Sequence, residues 1–141
     1  VDVEALASVD AWAAEARLAN LRPAIALDAA APDWPIVSAD ALLCVNMVHI
    51  SPWDAAVGLF AGAGRVLGSG APLVLYGPFV EPDVETAASN HAFDQSLRQR
   101  DPAWGLRSTA DLDRLAAGHG MTRTARCAMP ANNLVLVYRR D

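Results

Sequence analysis

Residues 39–79 read ADALLCVNMVHISPWDAAVGLFAGAGRVLGSGAPLVLYGPF, and this stretch decides the fold. Ala39 to Ile50 is almost continuously apolar, the pattern of a central parallel strand buried on both faces. Ser51-Pro52-Trp53-Asp54 then reads as a helix start, with Ser51 as N-cap, Pro52 at the first helical position and Asp54 in the first turn. Leu59, Phe60, Ala63, Val66 and Leu67 continue at helical spacing, and Gly68 and Gly70 stop the helix. Pro72 to Tyr76 is a second apolar strand, ending in Gly77-Pro78-Phe79. Strand, helix and strand at these lengths predict a right-handed βαβ unit and hence an α/β sheet.

The flanks extend this pattern. Asp2 can cap a first helix, whose apolar positions Leu6, Val9, Trp12 or Ala13, and Ala16 recur at helical spacing until Asn20. Pro23 to Ala29 reads as a short buried strand closed by Asp28, and 30–38 as a connection. The segment from Val80 to Arg107 is polar and irregular, with a short helix expected over Asn90–Arg98. It is placed to fold over one edge of the sheet as a lid. Ser108-Thr109-Ala110-Asp111 resembles a capping box ahead of the apolar Leu112, Leu115 and Ala116, and Gly118-His119-Gly120 ends that helix. Met121–Met129 and Leu134–Arg139 are strands joined by Pro130-Ala131-Asn132-Asn133, a hairpin signal.

Composition narrows the function classes. The chain has 141 residues, the size of one domain, with 53% hydrophobic and 19% charged residues, which excludes a disordered chain. Its net charge of −5 argues against a nonspecific nucleic-acid binder. No apolar run approaches the roughly 20 residues that span a bilayer. Cys44 and Cys127 each lie in an apolar run and read as buried thiols of a reducing compartment, which predicts a cytoplasmic protein. The three histidines lack ligand spacing, so no metal site is expected. No GxGxxG, Walker loop or GxSxG is present.

Open α/β sheets bind ligands beyond the C-terminal ends of their parallel strands. That rule selects Asp28 at the end of one strand, Asn46 and His49 late in the next, Tyr76 to Phe79 after the third, and the Asn132-Asn133 turn. Each has a structural alternative. Asp28 can cap a loop, and His49 can be a hydrogen-bonded structural residue rather than a general base. Asn46 is either a satisfied amide or a ligand contact, since an unpaired amide in an apolar strand would cost about 1–3 kcal/mol. Asn132 and Asn133 can simply make the turn. Arg98, Arg100, Asp101 and Arg107 cluster beside Trp104, either as ion pairs tying down a loop or as an anion clamp over the crevice.

Four phrases together carry a family resemblance: LLCVNMVHISPW (42–53), LVLYGPF (73–79), SNHAFDQSLRQRDPAWGLRS (89–108) and MPANNLVLVYRR (129–140). They resemble the methyltransferase-like 26 family, whose members have a class I S-adenosylmethionine methyltransferase fold and no established substrate. The resemblance covers essentially the whole chain. It implies a Rossmann-like sheet with a C-terminal antiparallel hairpin, and S-adenosylmethionine as cofactor. It places Asp28 and Ala29 near the adenine, and Asn46 and Met47 near the cofactor's methionine moiety. Phe79, Asn90, Arg98, Arg100, Trp104, Asn132 and Asn133 become candidates for binding a small-molecule substrate. His49 and Tyr76 become candidates for orienting the methyl acceptor, with His49 the one base expected near neutral pH.

The resemblance also implies what this stretch lacks. The first two strands and the glycine-rich loop that cradles the cofactor would precede Val1, and Asp2 lies one position past the ribose-binding acid. In the family sheet order 3-2-1-4-5-7-6, the Pro23–Ala29 strand would then have no neighbour, while strands 4-5-7-6 could still pair. Residues 1–141 are therefore expected to form one domain, the C-terminal two-thirds of the fold, with 80–107 as a substrate-recognition insertion. The rival expectation is a non-catalytic binding or scaffold domain that keeps the fold, because fold does not fix function.

Overall fold

The computed structural model describes residues 2–141. Helix α1 (Val3–Ala16) begins at Asp2, whose carboxylate accepts from the N–H groups of Glu4 at 2.9 Å and Ala5 at 3.2 Å. It ends at Arg17, which takes a left-handed backbone, earlier than the apolar pattern predicts. No residue of α1 is buried.

The strand expected at Pro23–Ala29 does not form, and the segment runs without a strand partner. The reason is the one its sequence position suggests. A strand needs a neighbour for its N–H and C=O groups, and none lies beside it. A single bond ties it back, from Ala24 N–H to the Asp10 carboxylate at 2.6 Å.

Strand β1 is Leu42–Val45, shorter than the apolar run 39–50. Asn46 ends it by taking φ 55°, a left-handed conformation that Asn tolerates better than most residues. Helix α2 (Trp53–Val66) follows, with Pro52 rather than Ser51 at the N-cap position and no side-chain cap. The Ser51 hydroxyl instead donates to the Met47 carbonyl at 2.9 Å. Strand β2 (Pro72–Gly77) pairs parallel with β1, Leu42 opposite Leu73 and Val45 opposite Tyr76.

The segment after β2 is more ordered than its sequence suggests. Strand β3 (Phe79–Val80) pairs parallel with β4 (Arg107–Ser108), and the two bracket helix α3 (Ala88–Arg100). Helix α4 (Thr109–Gly118) starts at Ser108, whose hydroxyl accepts from Ala110 N–H. Strands β5 (Met121–Met129) and β6 (Asn133–Arg140) form the hairpin, joined by a short 3-10 turn.

The main sheet has four strands in the order β1-β2-β6-β5, with β6 antiparallel to both neighbours. This is the 4-5-7-6 pairing that the family resemblance left possible. One face carries the core. Leu73, Leu75, Leu134, Leu136 and Tyr138 alternate inward and meet Phe60, Ala63, Leu112 and Ala116 from α2 and α4. Phe60 packs edge-on against Tyr138, ring centroids 5.1 Å apart. Connection 30–38 folds onto α2 because Gly58 and Gly62 lack side chains. A Cβ at either position would overlap the Ala29 carbonyl or the Trp34 ring. The opposite face is open, with Leu43 70% and Val45 52% exposed on β1.

Candidate functional site

The C-terminal ends of β1, β2 and β5 share one rim, because β6 runs back between β2 and β5. Three groups of residues meet there. Asn46 stands at the end of β1, held by its N–H donating to the Tyr76 carbonyl at 2.9 Å. A tight turn follows, closed by Ile50 N–H to the Met47 carbonyl at 3.0 Å, and it turns His49 inward. From the hairpin come Ala131, Asn132 and Asn133, and from α3 come Ser89, Asn90 and Phe93. Together with Tyr76 and Pro78 they line a crevice of about 570 Å³.

His49 is its most constrained side chain. It is 4% exposed, and its ring lies edge-on to Phe93 with centroids 5.7 Å apart. Its backbone carbonyl accepts from Gly105 N–H at 3.0 Å, which fixes the turn to the far end of the α3 segment. Burial, and then the nearby Arg107 guanidinium, push its pKa below the usual histidine value. The neutral imidazole is therefore the form present at neutral pH. Its Nδ1 is buried and has no hydrogen-bond partner. Gly77 makes room for it, since a Cβ there would stand 3.2 Å from both Nδ1 and Cε1 and 3.5 Å from Asn46 Oδ1.

The hairpin turn is latched to α3. Ala131 and Asn132 both sit at φ 57°, a left-handed pair that costs a non-glycine residue of order 1 kcal/mol each. Asn90 Nδ2 donates to the Asn132 carbonyl at 3.2 Å, and Asn132 Nδ2 donates to Ser89 Oγ at 3.1 Å. Asn133 Nδ2 bonds within the turn, to the Pro130 carbonyl.

Of the residues the sequence singles out, the structure brings Asn46, His49, Tyr76, Asn90, Asn132 and Asn133 to this crevice. It does not bring the others. Asp28 is exposed, and its carboxylate accepts from Ala30 N–H. Ala29 packs against α2. The Met47 sulfur receives the Ser51 hydroxyl and stays behind the rim. Phe79 lines a smaller hollow on the other side of the Asn90–Asn132 contact, beside the Arg126–Glu81 ion pair.

The anion clamp over the crevice does not form. Arg98 pairs with Asp94 at 2.8 Å, and Arg100 stacks over Trp104 at 5.2 Å. Arg107 spends its donors on the carbonyls of Val48, Ser51 and Ala103. Burial works to raise the Asp94 carboxyl, but the bonds from Arg98 and Leu106 N–H outweigh it and hold its pKa low. These charges tie the α3 segment to the turn after β1, the alternative that the sequence left open.

Phe93 is the largest of the crevice residues that sequence reasoning missed, beside Ile50, Ser89 and Ala131. Its signal was a lone aromatic, 39% exposed, on an otherwise polar helix.

Among the described residues no group of three or more His, Cys, Asp or Glu could hold a metal ion, and no helix is long and apolar enough to cross a membrane. The fold is the C-terminal part of the α/β sheet found in methyltransferases. Residues 1–140 match a family described as a protein of unknown function, DUF938, and the chain belongs to that family. Its structure is similar to that of the mitomycin 7-O-methyltransferase MmcR, with TM-score 0.83 and 17% identity over 99% of this chain and 40% of that one. It is similar also to CalO1, a methyltransferase of calicheamicin biosynthesis in its SAH-bound form, with TM-score 0.68 and 15% identity over 83% of this chain and 34% of that one. LepI in complex with SAM matches with TM-score 0.71 and 16% identity over 92% of this chain and 33% of that one. The chain thus spans less than half the length of the solved structures it matches.

Proposed function

We propose that this chain is the C-terminal part of an S-adenosylmethionine-dependent methyltransferase of the methyltransferase-like 26 type, acting on a small-molecule acceptor. One observation carries the reading. Asn46, His49, Tyr76, Asn90, Asn132 and Asn133, from four separate stretches of sequence, converge on the C-terminal rim of a β1-β2-β6-β5 sheet. Two of the similar structures hold SAM or SAH, which supports the cofactor.

The residues present fit one wall of such a cofactor site. Gly77 lets Asn46 and His49 close against the end of β2, and Asn46, lining the crevice, offers both an amide donor and an acceptor. Asn46 and the Met47 backbone beside it would hold the cofactor on this side, while Asp28 and Ala29, in the segment before β1 that packs on α2, lie outside this crevice. The bound cofactor supplies an electrophilic methyl group. This chain's own task is to hold the acceptor atom in line with it and keep water away. His49 and Tyr76 would orient the acceptor, while Phe93 and α3 form the outer wall. In the proposed role of lid, the 80–107 segment closes over the rim and recognises substrate.

The open β1 edge, the exposed Leu43 and Val45, and the absence of any buried residue on α1 support a longer parent protein. Parallel strands are normally covered on both faces.

Addition of S-adenosylhomocysteine to isotope-labelled chain, followed by amide NMR, tests the placement. The signals of Asn46 and Met47 should move first. Movement confined to the Arg98–Trp104 corner would sink it.

A further inference from the structure

The crevice is lined by Asn46, His49, Tyr76, Asn90, Phe93, Asn132 and Asn133 with smaller neighbours, and among the described residues no side chain of fixed charge lines it. Around the crevice, Asp94 is committed to Arg98 and Leu106 N–H, Arg107 to three backbone carbonyls and Glu81 to Arg126, while Glu85 stands in the adjoining hollow that shares Asn90, Asn132 and Asn133.

His49 adds an independent observation, because its buried Nδ1 has no partner. One Cα hydrogen of Gly77 points at that ring edge, along the bond on which a Cβ would stand 3.2 Å from Nδ1. A bare nitrogen lone pair tolerates a C–H group at close range as a weak acceptor. An N–H in the same place would press hydrogen on hydrogen and remain an orphaned donor, the rarer kind of unpaired buried group. The proton of the neutral ring therefore belongs on Nε2.

We infer that the crevice selects an uncharged, flat acceptor rich in hydrogen-bonding groups, and that His49 meets it as a donor through Nε2–H rather than as a general base. The inference rests on the methyltransferase reading for the word acceptor, but not for the ligand chemistry or the tautomer. The Asn amides each offer donors and acceptors, and Tyr76 and Phe93 offer ring surfaces. An ion placed here would lose hydration and gain no countercharge. Two influences oppose this, Glu85 in the adjoining hollow, which favours a cation, and the N-terminus of α3, where Ser89 and Asn90 face the crevice. A helix dipole at an exposed site favours an anion by only about two- to fivefold.

Benzamide, benzoate and benzamidine are nearly isosteric and carry charges of zero, minus one and plus one. Each is titrated into labelled chain while the side-chain amide signals of Asn46, Asn90, Asn132 and Asn133 are followed. Benzamide should move them with at least a tenfold advantage over both ions. Long-range proton–nitrogen spectra should place His49 Nδ1 in the unprotonated range and Nε2 in the protonated range. His49→Gln, which keeps an N–H donor, should retain the benzamide preference, and His49→Leu should reduce it. Equal or tighter binding of either ion, no response to benzamide at these amides, or an Nδ1-protonated His49 would overturn the inference. None of these readouts needs S-adenosylmethionine, so a failure of cofactor binding would remove the methyltransferase reading and leave this result standing.

Discussion

Gly77 is buried where β2 meets the crevice, and its missing side chain is what lets His49 and Asn46 approach the strand. Gly77→Ala puts a methyl group 3.2 Å from the imidazole, so the ring or the strand must give way. The expected cost is about 1–3 kcal/mol in urea unfolding, the range for overpacking a filled site. The His49 signals should shift with it, and a neutral substitution would contradict the packing described. His49 also sets a pH dependence. Burial, then Arg107, depress its folded pKa below the ordinary 6.5, so the unfolded chain takes up the proton first as pH falls. The stability it confers is complete above 6.5 and is lost as pH drops from there through the folded pKa. Unfolding measured near pH 7.5 and near pH 5.5 should show this slope, and His49→Gln should flatten it. An identical slope in the variant would show that other groups carry it.

At the scale of elements, what the sequence made legible depended on how locally each element is determined. Helix α4 announces itself through Ser108 and its apolar face, α2 through the apolar spacing after Trp53, and the hairpin through Pro130–Asn133, all short-range signals. The strand at Pro23–Ala29 fails because a strand depends on a partner that its own residues do not specify. The apolar run 39–50 overstates β1 because Asn46 turns the chain, and composition hides that backbone choice. The two-residue pair β3 and β4 carries too few residues for a periodic signal, yet it frames α3. At the crevice, the strand-end rule found Asn46, His49 and Tyr76. The charge cluster misled because arginines that look like a clamp are consumed by Asp94, Trp104 and backbone carbonyls. The latch between α3 and the hairpin is the element contact that matters most for the crevice. Asn90→Ala removes the donor to the Asn132 carbonyl, which should cost about 1 kcal/mol. Amide exchange should speed up in α3 and the 130–133 turn while α2 stays protected. Uniform acceleration across the chain would mean that the latch is not local.

At the scale of the whole molecule, the sheet has one face packed by α2 and α4 and the other open. In the proposed methyltransferase reading, a four-stranded sheet with its β1 edge bare would hold the acceptor side of the rim and only part of a cofactor cradle. That arrangement follows if the chain is the C-terminal part of a longer methyltransferase, and it gives the central claim a direct test. S-adenosylhomocysteine should be titrated calorimetrically into this chain and into the same protein extended upstream, with both shown to be folded. Micromolar binding by the extended protein and binding at least a hundredfold weaker by residues 1–141 is the predicted result. Absence of binding by both folded forms would contradict the methyltransferase assignment, and equally tight binding by the shorter chain would contradict a cofactor site divided across its N-terminus.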